Sequence, residues 1–243
     1  VHTLPTLLLL AGSLSIYTAP KSPPQPPLAP QPSADRLRCS ADTLNIYLSR
    51  TGDRRQTGTV IDECRSAVVG GERVLMRVYR STDAVLGSRT DTIVDAWSTL
   101  APRSYHSHAT SGTTTLDWAG RQVRGQAAVP GGGPKAISET LADGVYNSAS
   151  FDVVLRASLL KVGTTLAIPS YVPGKGTVAL SAKVVAEESV AGQSAWRVDG
   201  DFDGMSVTFW ISTTTRQLLR QVMRVAPGVE VEFVLASSRG RGA

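Results

Sequence analysis

Cysteine, histidine and aromatic residues are scarce in this 243-residue chain, and their scarcity narrows its chemistry. It holds two cysteines, three histidines and only 6% Phe, Trp and Tyr. Neither Cys39 nor Cys64 has a partner at C-x-x-C spacing, which excludes the common zinc, haem-attachment and thioredoxin-like motifs. No G-x-S-x-G elbow places a nucleophilic serine. Pro130-Gly-Gly-Gly-Pro-Lys135 lacks the spacing and the hydroxyl of a P-loop and reads as a loop. No apolar run reaches the roughly 20 residues that a membrane-spanning helix needs. The net charge of +5 is scattered, with small groups at Arg36/Arg38, Arg54/Arg55 and Arg239/Arg241. Nucleic-acid binders gather such charge on one face with interleaved aromatics, so nucleic acid is not an expected partner. A diffuse cationic excess suits anionic headgroups or acidic protein surfaces better.

What is present begins at the first residues. An apolar stretch from Leu4 to about Tyr17 contains Leu7, Leu8, Leu9 and Leu10 and ends in Leu10-Ala11-Gly12-Ser13. That ending has the form of a lipoprotein processing site with Ser13 where the lipidated cysteine belongs. A serine hydroxyl is a much weaker nucleophile than a thiol, so no thioether lipid is expected. The stretch matches the roughly 7–15-residue apolar region of a signal peptide, although only His2 precedes it where a basic segment is usual. Residues 1–19 therefore read as a signal-like or interfacial apolar segment.

Seven of the 14 prolines lie from Pro20 to Pro32. Proline fixes φ and lacks an N–H donor, so this tract runs as polyproline II, at about 3.1 Å per residue. Residues 20–35 read as a linker or strap. Leu7–Leu10 and Pro23, Pro24, Pro26 and Pro27 are the expected contacts with a partner or a membrane.

Residues 36–235 are long enough for one β-rich domain, followed by a basic flexible tail at 236–243. Their dominant period is two. Val74, Met76 and Val78 fall on one face of a strand, with Arg73, Arg77 and Tyr79 on the other. Segments 113–118 and 122–126 flank an Ala119-Gly120 turn. Val207, Phe209 and Ile211 alternate with Thr208 and Trp210, and Pro227-Gly228 separates 217–225 from 229–235. Ser150 as an N-cap before Phe151, Val154 and Leu155 predicts one short helix packed on the sheet. The fold class is all-β: a curved or closed antiparallel meander, half-barrel or barrel, with one short helix. Cys39 and Cys64 either form a disulfide pinning the domain's start to its second strand or remain two buried thiols.

Three runs carry a family resemblance: Asp95-Ala-Trp-Ser-Thr-Leu-Ala-Pro102, Leu116-Asp-Trp-Ala-Gly-Arg-Gln-Val-Arg-Gly125 and Trp210-Ile-Ser-Thr-Thr-Thr-Arg-Gln-Leu-Leu-Arg220. They resemble an uncharacterised family of secreted bacterial β-domains, a domain of unknown function, over about Leu44 to Leu235. The resemblance implies a curved antiparallel sheet similar in outline to periplasmic lipoprotein-carrier half-barrels. It implies no catalytic residues.

Candidate sites are few. Asp199, Asp201 and Asp203 match the opening of a calcium loop, but position twelve, which should be a bidentate Glu, is Trp210. A carboxylate-rich turn is the favoured reading and a weak divalent site the other. His106 and His108 alternate on a strand without a third zinc ligand nearby in sequence, so they read as surface or groove histidines. Trp97, Trp118, Trp196 and Trp210 are expected to serve mostly in core packing. No cofactor is expected. The whole points to a non-enzymatic, membrane-extrinsic periplasmic protein, an accessory or stabilising subunit docking on a larger membrane complex such as a respiratory or photosynthetic one. The alternative is a periplasmic carrier holding a lipid or lipoprotein against an apolar concave face.

Overall fold

A computed structural model describes residues 29–240. Alternation at period two builds fifteen strands: β1 (Ser40–Arg50), β2 (Asp53–Val69), β3 (Glu72–Asp83), β4 (Gly87–Ala96), β5 (Pro102–Ala109), β6 (Gly112–Ala119), β7 (Gln122–Ala128), β8 (Lys135–Thr140), β9 (Tyr146–Asn147), β10 (Thr165–Val172), β11 (Gly176–Val190), β12 (Gln193–Phe202), β13 (Met205–Ser212), β14 (Leu218–Ala226) and β15 (Val229–Gly240). Among the described residues one α-helix, α1 (Phe151–Ala157), falls between β9 and β10. All strands join one sheet in the order β8-β7-β6-β5-β4-β3-β2-β1-β15-β14-β13-β12-β11-β10-β9. Two meanders meet where β1 pairs antiparallel with β15; only the short β9–β10 pairing is parallel.

One face of each strand is inward. Leu44, Ile46 and Leu48 of β1, Val207, Phe209 and Ile211 of β13, and Leu180, Ala182 and Val184 of β11 are buried in one core. The expected alternation in β13 holds, with Thr208 and Trp210 facing outward. The hairpins sit where turn chemistry puts them. Ala226 pairs with Val229 around Pro227-Gly228, and Ala119 pairs with Gln122. The two-residue loop is thus Gly120-Arg121, one position later than Ala119-Gly120. Gly120 (φ 61) and Gly228 (φ 69) occupy the left-handed region that such tight loops need.

The sheet rolls, and its two ends are joined by side chains. The Tyr171 hydroxyl on β10 donates to Glu139 Oε1 on β8 at 2.7 Å. The Trp118 ring meets Tyr171 edge-on, with centroids 6.5 Å apart. Ile93, Tyr105, Leu116, Val123, Leu141 and Val145 complete a second, smaller core around this seam. No backbone ladder links β8 to β9 or β10 among the described strands.

Both ends of the domain extend further than the sequence suggests. Strand β15 pairs through Gly240, opposite Ser40, and Ser238 Oγ accepts a 2.6 Å bond from Gln217 Nε2. Residues 236–240 therefore belong to the sheet and not to a flexible tail, because backbone pairing tolerates their polar composition. At the other end Ala34 is fully buried, and the Ser33 N–H donates to Ala157 O. The last residues of the proposed linker thus cover the C-terminus of α1.

Candidate functional site

The concave face encloses a cavity of about 480 Å³ between α1 and the far ends of several hairpins. Alternate turns of a meander lie at opposite ends of its sheet. Helix α1 occupies the end that carries the β4–β5 and β13–β14 turns. There Arg156 Nε donates to Arg216 O at 2.7 Å, and Arg216 Nη1 to Ser158 O at 3.2 Å. The cavity runs toward the other end, where Leu86 and Gly87 of the β3–β4 turn and Ser111 of the β5–β6 turn line it. The apolar wall comes from Leu44, Ile46, Leu218, Met223, Phe233, Phe151 and Phe202. Phe151 stacks on Phe202 at 5.3 Å, so the first residue of the helix closes the cavity against β12. At the mouth, Val85 and Leu86 are 48% and 60% exposed. Asp83 holds this tip by accepting the N–H groups of Val85 and Leu86 at 2.7 and 2.6 Å.

The polar side of the cavity is a charge cluster invisible to the apolar pattern. The period-two alternation groups Arg77 with Arg73 on the face of β3 opposite Val74, Met76 and Val78; the structure turns that polar face inward beyond Leu75. Arg77 Nε and Nη2 reach the two Asp62 oxygens at 2.7 and 2.8 Å. Nη1 and Nη2 reach the two Asp152 oxygens at 2.8 and 3.0 Å. Arg156, four residues beyond Asp152, lies 3.7 Å from its Oδ2 and 4.0 Å from Asp62 Oδ2. Two cations and two anions cancel in a setting where Arg77 is 5% exposed, which is what a buried charge requires. Burial pushes the Asp62 carboxyl up, but Arg77 and then Arg156 outweigh it and leave Asp62 below its ordinary range.

Asp95 sits behind this cluster. It accepts from Ser150 Oγ at 2.8 Å, while its other oxygen is buried without a partner. Burial raises its pKa to about 7, against the smaller opposing effects of the Ser150 bond and Arg77. Ser150 stands at the expected N-cap of α1 but makes no capping bond, because its hydroxyl goes to Asp95. Asn147 supplies the local cap, accepting the Ala149 N–H at 3.0 Å.

The sequence-derived candidates do not converge. Asp199 is engaged by Arg197 and Thr208, Asp201 accepts the Gly204 N–H, and Asp203 pairs with Lys175 at 2.6 Å. Asp203 (φ 56) and Gly204 (φ 81) form the β12–β13 hairpin loop, so this is a turn. No group of three metal-binding side chains occurs among the described residues. His106 and His108 project from the outer face of β5 between threonines: Thr92 and Thr115 flank one, Thr90 and Thr113 the other. Trp118 alone among the tryptophans is buried. Trp97 and Trp196 lean on the rim of the main core beneath Arg73 and Arg216, and Trp210 lies outside beneath Arg220. Cys39 and Cys64 are half-buried thiols. A hydrogen bond between them holds Cys64 below its ordinary range and, with burial, pushes Cys39 above it. Leu7–Leu10 and Pro23, Pro24, Pro26 and Pro27 lie outside the described residues.

Sequence reasoning missed Asp62, Asp152 and Arg156. A signal was available: Asp152 and Arg156 stand at i,i+4 in a seven-residue helix whose other positions are all apolar, the mark of a helix buried all round.

Among solved structures, a β-barrel-like protein of the domain of unknown function DUF1849 from Brucella abortus is similar at 11% identity. The match covers 85% of this chain and 99% of that one, with a TM-score of 0.54, and the two share a fold. A putative outer membrane lipoprotein-sorting protein domain from Vibrio parahaemolyticus matches over 86% of this chain and 89% of its own at 11% identity, with a TM-score of 0.26, too low for a shared fold. No curated protein matches the chain. A rolled antiparallel sheet with an internal helix, matched over residues 50–234 by the model of a protein family of unknown function, DUF3108, makes this chain a member of that family.

Proposed function

We propose that the protein is a non-catalytic periplasmic carrier that holds a lipid or an acylated molecule in its concave cavity. The cavity carries the reading. Its volume of about 480 Å³ falls within the roughly 300–1,000 Å³ of small-ligand sites, and one wall is mostly apolar side chain from three adjacent strands and α1. Exposed Val85 and Leu86 at the mouth suit delivery from an apolar environment. A carrier needs shape and apolar area, with no bond-breaking groups, and His106 and His108 face away from the cavity. The accessory-subunit reading depends on the apolar and proline-rich segments outside the described residues, so the cavity favours the carrier.

Mass spectrometry of the organic extract of protein purified natively, without detergent, tests this. An acyl compound at near one equivalent is expected. An empty extract, together with no binding of added acyl compounds, overturns the reading. In the oxidising compartment it implies, Cys39 and Cys64 exchange with a disulfide donor and close a bond, each sulfur losing its hydrogen. Intact mass with and without reductant should register that loss; an unchanged mass excludes the bond.

A further inference from the structure

One buried polar side chain facing the cavity has no hydrogen-bonding role in the fold. Gln221 lies on β14 between Phe209 of β13 and Phe233 of β15. It is 7% exposed and lines the cavity beside Leu218 and Met223. Its carboxamide makes no hydrogen bond with any other described residue, although a buried amide ordinarily does so. Its polar end opens into the cavity, and leaving it unmatched once an apolar ligand displaces the water there is unfavourable, a cost Leu or Met would not carry. A ligand that brings its own hydrogen-bonding group removes it.

The rest of the lining sets the charge of that ligand. Arg77 is saturated by Asp62 and Asp152. Arg89 donates to Asp91 and to Tyr105 Oη at 2.8 and 2.6 Å. Asp83 accepts Thr57 Oγ1 as well as the two N–H groups of the mouth. Among the described lining residues each cation already faces a carboxylate. With Arg156 behind the lining counted, four aspartates still outnumber three arginines, so an anion brought inside meets net negative charge.

We propose, resting on the carrier reading, that Gln221 is the specificity-determining contact for an uncharged acyl ester or amide, its N–H donating to the ligand carbonyl, and that the site discriminates against free fatty acid. The carbonyl accepts from Gln221 Nε2 while the chain covers Ile46, Leu218, Met223 and Phe233. A carboxylate of the same chain length would carry its charge into the same place without a counter-ion.

Displacement of the hydrocarbon dye diphenylhexatriene from the full chain provides the test, with methyl laurate and laurate as competitors at a pH where laurate is ionised. Methyl laurate is expected to bind at least about ten-fold more tightly than laurate. Gln221→Leu should weaken methyl laurate by about three- to ten-fold, the range of one net hydrogen bond, and leave the dye, which has no carbonyl, unaffected. Equal methyl laurate affinity in wild type and Gln221→Leu overturns the proposal and leaves the carrier reading intact. Equal loss of dye binding in the variant assigns Gln221 to packing and also overturns it. If wild type binds neither the dye nor either competitor, the carrier reading itself fails.

Discussion

Asp95 and Asp62 show how similar residues can acquire opposite pH dependences from their surroundings. Asp95 has a pKa of about 7 when folded and about 3.9 when unfolded. Between those values the folded state binds the extra proton, so stability falls as pH rises from about 4 to about 7, by at most about 1.4 kcal/mol per pH unit, and levels off above that. Asp62 behaves oppositely: its folded pKa is depressed, so its stabilisation is present above the unfolded value and lost as pH falls through the acid range below about 4. Asp95→Asn keeps an acceptor for Ser150 and removes the ionisable group. Urea midpoints measured from about pH 4 to 8 should lose the decline seen in wild type, with the variant more stable at the alkaline end; an unaltered decline would remove Asp95 as its source.

The buried ion cluster leads to a second residue-scale prediction. Arg77→Met leaves Asp62 and Asp152 facing each other without their bidentate partner, and a broken buried pair costs about 3–5 kcal/mol. Replacing Arg77 and Asp62 together by apolar residues should cost far less, because Asp152 and Arg156 still face each other and no charge is stranded. Chemical denaturation of both variants checks the ordering. A double variant as unstable as the single one would mean that the cluster contributes net stability in place of merely cancelling its own burial.

At the scale of elements, much was legible because the turns and the period agreed. Pro227-Gly228 and Asp203-Gly204 are hairpin loops whose residues tolerate the backbone they need, and the strands between them alternate cleanly. The helix was legible from Phe151, Val154 and Leu155, but not its setting. Asp152 and Arg156 would ordinarily mark a solvent face; here they turn inward because Arg77 arrives from a strand far away in sequence. No local rule contains that pairing, nor the diversion of Ser150 to Asp95. Gly58 illustrates the same limit. It follows the bulge at Ile46/Tyr47, and a Cβ there would clash with Thr82 O on β3. Gly58→Ala forces β2 and β3 apart beside Asp83, and a loss of about 1–3 kcal/mol is expected from thermal unfolding. A neutral outcome would show that the bulge relaxes freely.

At the scale of the whole molecule, closure is unevenly distributed. The junction of β1 with β15 is a continuous backbone ladder from Arg50↔Val229 to Ser40↔Gly240, with a single bulge. The opposite junction relies on the Tyr171–Glu139 bond and the packing of Trp118 on Tyr171. Side-chain contacts open at lower free energy than a ladder that must unzip, so the seam should be the first region to separate. Tyr171→Phe removes only the hydroxyl, and because Glu139 is exposed and readily hydrated the cost should be about 1 kcal/mol or less. Tyr171→Ala also removes a fully buried ring from the second core, at about 3–5 kcal/mol. Hydrogen exchange followed strand by strand distinguishes local from global loosening. In Tyr171→Ala the amides of β8 and β10 should lose protection well before those of β1 and β15, and an acyl ligand filling the cavity should restore part of it by mass action. Uniform loss across all strands would instead mean that the roll opens as one unit, with the seam no weaker than the ladder opposite it.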